Sequence, residues 1–124
     1  MIPVTRLNIP PCPKPRMTRA DKWKKRQSVV KFFAFRDAVR QRMYNSSNLE
    51  YESFEIVFYV PMPKSWSKKK KILMKGKPHQ QRPDLDNYLK AWKDSVYEED
   101  AVVWRVKASK LWTDESGHII VSHL

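Results

Sequence analysis

The chain is 124 residues long and 41% hydrophobic, with five each of Trp, Tyr and Phe; this is enough apolar surface for one compact core and excludes a disordered tail. Lys and Arg number 25 against 13 Asp and Glu, a net charge of +12 whose clustered cations attract polyanions and make nucleic acid the first partner to consider. Cys12 is the sole cysteine, which excludes an intrachain disulfide and a Cys-based zinc site.

Met1 to Ile9 allows a short strand and lacks the apolar run and cleavage site of a signal peptide. The prolines from Pro10 to Pro15 fix φ repeatedly and remove donors, so this segment is expected to run extended and to present Lys14, Arg16 and Arg19 to solvent. Thr18 and Asp21 have capping-box spacing, and Trp23, Val30, Phe33, Ala34 and Ala38 share a helical face. A long first helix is expected to end near Tyr44, its remaining surface crowded with Lys and Arg.

Asn45 to Asn48 has turn composition, and Phe54 to Val60 alternates as a strand that Pro61 and Pro63 stop. Next comes a mobile basic loop, Lys64 to Lys77, with Lys64, Lys68, Lys69, Lys70, Lys71, Lys75 and Lys77 as nucleic-acid contacts. Within it Trp66 either stacks on a base or covers the loop. After Pro83, the residues Leu85, Tyr88, Leu89, Trp92 and Val96 mark the core face of a second helix. Strands are expected at Val102 to Ser109 and Ile119 to Val121, separated by a turn at Asp114 to Gly117. Trp92 and Trp104 are assigned to the core. The expectation is one α+β domain over residues 1–124, a mixed β-sheet packed by two main helices in the order β-α-β-α-β-β. No segment approaches the length needed to cross a bilayer, so a soluble cytoplasmic protein is expected.

Acid is concentrated inside this basic chain, with Asp84 and Asp86 at the start of the second helix and Glu98, Glu99 and Asp100 after its end. A hard divalent cation such as Mg²⁺ explains carboxylates near phosphate, because it takes oxygen ligands and keeps waters free. Residues two apart on a helix point about 200° away from each other, so Asp84 and Asp86 converge only if Asp84 lies outside the helix, as Pro83 favours. Lys90 follows Asp86 by four residues on the same face, within reach of a phosphate, and Asp100, at the start of a strand, completes the set. The plain alternative is that the aspartates cap the helix and Asp86 pairs with Lys90. His79, His118 and His123 lack ligand spacing.

The segment Arg82-Pro-Asp-Leu-Asp-Asn-Tyr-Leu-Lys90 closely resembles the motif of the RusA family of Holliday-junction resolvases. Pro61 to Lys71 resembles the basic loop upstream of that motif, Pro11 to Arg16 the family's N-terminal segment, and Lys110-Leu-Trp112 the strand after the last acid. The resemblance implies a homodimeric α+β endonuclease of a bacterial or phage-infected bacterial cell. It would use Mg²⁺, with Mn²⁺ able to substitute, to make paired symmetric nicks at a four-way junction in recombination and repair. Carried across, Asp84, Asp86 and Asp100 are the metal-binding acids and Lys90 the catalytic lysine. The segment from Ser95 to Asp100 is shorter than in family members, which leaves Glu99 as the alternative third acid. Two competing readings are a non-catalytic basic protein that binds branched or double-stranded DNA and a ribosomal-like RNA binder.

Overall fold

In the computed structural model, which describes residues 4–16, 26–44 and 52–124, four strands form one mixed sheet in the order β1-β4-β2-β3. β1 spans Val4–Leu7, β2 Ser53–Pro61, β3 Arg105–Thr113 and β4 His118–His123. β4 is antiparallel to both of its neighbours, with Leu7 opposite Ile119 on one side and Ile56 opposite Val121 on the other. β2 and β3 run parallel, from Ser53 opposite Arg105 to Pro61 opposite Thr113. A parallel pair requires a long crossover, and the chain between β2 and β3 supplies it with α2 (Lys68–Met74) and α3 (Leu85–Val96). The first helix, α1, spans Gln27–Tyr44.

Period-two alternation places Phe54, Ile56 and Phe58 on one face of β2, where they join Ile119 and Val121 of β4 and Leu7 of β1 in the core. α1 covers this face with Phe32, Phe35, Val39 and Met43, and α3 with Tyr88, Ala91 and Trp92. Tyr88 stacks on Phe58 at 5.4 Å between centroids, which fixes α3 against the central part of the sheet. The helices are joined by Arg40, whose Nε donates to the Ser95 carbonyl at 3.0 Å. Among the described residues no helix is long and apolar enough to cross a membrane.

The class and mixed sheet agree with expectation, and five local readings change. α1 buries Val29, Phe32, Phe35, Val39 and Met43, whereas Val30 and Phe33, assigned to the core face, are exposed. Two apolar stripes interleave at the start of this helix, and only the one continuing through Val39 and Met43 runs its full length. Trp23 and the Thr18 cap lie outside the described residues.

The basic loop contains α2, capped by Ser67, whose hydroxyl accepts from the Lys70 amide at 3.2 Å. It closes at Gly76, whose φ of +75° suits glycine. β3 starts at Arg105 rather than Val102, because Asp100–Val102 forms a 3₁₀ turn and the first rung to β2 is Arg105 opposite Ser53. Asp100 therefore opens that turn and not a strand. Trp104, expected in the core, is 68% exposed and carries the Arg105 guanidinium 5.0 Å from its ring centroid.

Candidate functional site

α3 starts beside β3, and its first residues determine how the acids are presented. Asp84 occupies the N-cap with extended backbone (φ −66°, ψ 150°), so it lies outside the helix while Asp86 sits in the first turn. The Asp84 carbonyl accepts from the amides of Asn87 at 3.1 Å and Tyr88 at 3.3 Å. Its carboxylate makes no capping hydrogen bond, although an N-cap aspartate ordinarily accepts from the amides of the first turn. Asp86 and Lys90 are exposed, and among the described residues neither forms an ion pair or hydrogen bond through its side chain. Capping and helical pairing therefore leave both carboxylates unexplained. Two free carboxylates two residues apart, one outside the helix and one in its first turn, are the donor type that a hard divalent cation takes. A cleft of about 460 Å³ beside them is lined by Pro13, Lys14, Arg82, Pro83, Asp84 and Asn87.

Asp100 lies near the other end of α3, its Oδ2 3.9 Å from Lys93 Nζ. Lys93 is nine residues beyond Asp84, about 13 Å along the helix axis. The Glu99 carboxylate caps the 3₁₀ turn by accepting from the Ala101 amide at 3.3 Å. Among the described residues no three His, Cys, Asp or Glu side chains gather closely enough to hold one metal ion. One chain thus places Asp84 and Asp86 at the start of α3 and Lys90 midway along it, with Asp100 and Glu99 apart from them.

The lysines of α2 form a cationic platform. Lys64, Lys68, Lys69 and Lys77 are exposed and make no ion pair among the described residues. Lys71 is half-buried, Lys75 pairs with Asp114 at 3.4 Å, and Lys70 lies 4.3 Å over the Trp66 ring. Trp66 packs on Trp112 at 4.7 Å between centroids, so it covers the base of the platform. The N-terminal segment behaves differently from expectation. Lys14 is turned inward, with Nζ 2.8 Å from Asp94 and 4.4 Å from the Phe32 ring centroid, because the proline-rich segment lies across α1 and α3. Arg16 is exposed and its carbonyl accepts from Arg26. Arg19 lies outside the described residues.

Sequence reasoning missed Lys110. Its ammonium donates to the carbonyls of Gln81 at 2.6 Å and Pro83 at 2.7 Å, immediately before Asp84. The only available signal was its place in the Lys110-Leu-Trp112 segment, which carried no role. His79 is buried edge-on against Trp112 at 4.4 Å, with no hydrogen-bond partner for Nδ1 among the described residues. Burial, and then the charge of Lys110, hold its imidazole below the ordinary value.

A 71-residue stretch is 38% identical to the Uncharacterized protein YqaN of Bacillus subtilis (strain 168), covering 51% of this chain and 50% of that protein. The chain thus spans about half the length of the curated relative it matches. Residues 8–122 match the family described as Endodeoxyribonuclease RusA. That span takes in the free aspartates, the lysine platform, β2, β3 and nearly all of β4, and the chain belongs to the RusA endodeoxyribonuclease family.

Proposed function

We propose that this protein is a Mg²⁺-dependent, structure-specific endodeoxyribonuclease that resolves four-way DNA junctions by paired symmetric nicks, acting as a homodimer in recombination and repair. The freedom of Asp84 and Asp86 carries this reading: two exposed carboxylates, neither capping nor paired, stand at one helix start within a chain of net charge +12. Family membership supports the reaction class.

Asp84 and Asp86 would hold Mg²⁺, or Mn²⁺ in its place, with Asp100 as third acid; when bound, the ion supplies an activated water and positive charge at the scissile phosphate. Within one chain Asp100 stands near the far end of α3, so taking part would need a rearrangement larger than loss of its 3.9 Å contact with Lys93. Glu99 is its rival. Lys90, unpaired on the face of Asp86, neutralises charge that develops on the phosphate oxygens. The free lysines of the platform track the DNA backbone, and two protomers related by a two-fold match the symmetry of the junction.

Wild-type protein and Asp86→Asn are incubated with a synthetic four-way junction and Mg²⁺. The wild type is expected to nick opposed strands, and the variant to bind the junction without cutting it. Equal cutting by both would overturn the assignment. The distance of Asp100 from Asp84 favours a second reading, a non-catalytic binder of branched DNA, which predicts Mg²⁺-indifferent binding and no nicks from the wild type.

A further inference from the structure

The segment 77–83 carries the chain from α2 to the free aspartates, and β3 guides its first half through an isolated bridge. The Trp112 amide donates to the Lys77 carbonyl at 2.9 Å and the His79 amide to the Lys110 carbonyl at 3.0 Å, around the bridge between Pro78 and Leu111. The backbone pairing then stops. Lys110 takes over with its side chain, donating to the carbonyls of Gln81 and Pro83 at 2.6 and 2.7 Å. One residue thus fastens positions 79, 81 and 83 in succession, through its main chain and then its ammonium. Hydrogen bonds from a charged donor at these lengths are among the stronger ones a protein makes. No ion pair joins Lys110 to Asp84 or Asp86 among the described residues, so it acts on them through the backbone that precedes them.

We infer that Lys110 is the positioning residue of the acid site, its ammonium clamping the Gln81 and Pro83 carbonyls so that Asp84 leaves the sheet edge outside α3 and faces the same ion as Asp86. This inference rests on the metal-dependent reading above. Without the ammonium, the two carbonyls turn to water and the segment before Asp84 loosens, while the core residues of α3 and the platform lysines keep their places.

The experiment measures Mn²⁺ binding to the free protein by the loss of the free-ion paramagnetic resonance signal, for wild type, Lys110→Met, Lys110→Arg and, as a control for charge alone, Lys107→Ala, an exposed lysine of the same strand that pairs with Glu55. Circular dichroism and metal-free junction binding are recorded alongside. Lys110→Met is expected to weaken Mn²⁺ binding by about tenfold or more, the scale seen when residues that orient metal ligands are lost. Lys110→Arg should recover much of the affinity, and Lys107→Ala should match wild type, all with unchanged junction binding in chelator. If Lys110→Met binds Mn²⁺ as tightly as wild type, the inference is wrong and the nuclease reading stands. If wild type itself binds no Mn²⁺ and cuts no junction, the nuclease reading falls and this inference with it. Failure of both Lys110 variants to fold would also overturn it, by making Lys110 a determinant of the whole fold.

Discussion

At the scale of single residues, environment outweighs type. Lys14 and Lys69 are the same side chain, yet Lys14 is tied down by Asp94 at 2.8 Å while Lys69 stands in solvent. Nothing in the run of prolines around Lys14 shows that it will cross two helices, so its inward turn was not legible. Asp84 was legible, because Pro83 suits a helix start and the next residues carry helical spacing. His79 illustrates how burial reaches stability. Desolvation, reinforced by the Lys110 charge, lowers its affinity for a proton below the ordinary value of 6.5. As pH falls below that value, the unfolded chain takes up a proton that the folded chain still refuses. Stability therefore declines from about pH 6.5 down to the depressed folded value, and above this window the group contributes no pH dependence. Urea unfolding of wild type and His79→Phe at about pH 7.5 and about pH 5.5 checks this. The wild type is expected to lose more stability than the variant between the two conditions, and equal losses would contradict the assignment.

At the scale of elements, β2 and α3 follow from pattern because each has one dominant period. β2 alternates cleanly and α3 carries Tyr88, Ala91, Trp92 and Ser95 on one buried side. α1 was harder, since Val29-Val30 and Phe32-Phe33 offer apolar residues to two faces and only packing against the sheet selects between them. α2 was hidden by charge: four successive lysines read as a solvated loop, although Ser67 before them and Gly76 after them are ordinary helix limits. No residue of α2 is buried, so its lysines are removable without disturbing the core. Replacing Lys68, Lys69, Lys70 and Lys71 together by Ala, a better helix former, should leave the fold intact. Each lysine lying on a phosphate contributes about 0.9 to the slope of log affinity against log salt, so the slope should fall by up to about three to four units. Junction binding measured across a salt series reads this directly. A slope equal to that of wild type would show that the platform lies off the DNA.

At the scale of the whole molecule, the sheet accounts for the division between platform and acids. The residues Asp114 to Gly117 read as a turn between the last two strands, and because β2 lies between β3 and β4 this short connection passes over the end of β2. The ends of β2 and β3 come together there, with Pro61 opposite Thr113, and the lysine platform grows from the same end. Asp84 and Asp86 of one chain stand at a single helix start, so on the proposed reading a lone protomer would offer one cutting centre, and two symmetric cuts would require two protomers. This arrangement predicts a specific outcome when active and inactive chains share a dimer. Wild type and an excess of Asp86→Asn, unfolded together and refolded to exchange protomers, are incubated with a supercoiled plasmid that extrudes a four-way junction. On the proposed reading, wild-type dimers are expected to cut both opposed strands and yield linear DNA. Mixed dimers keep one working centre, so nicked circles should replace linear product as the variant's share rises. If linear product persists in proportion to the wild type present, the two cuts do not come from two protomers, and the paired-nick assignment fails even if the acids bind metal as proposed.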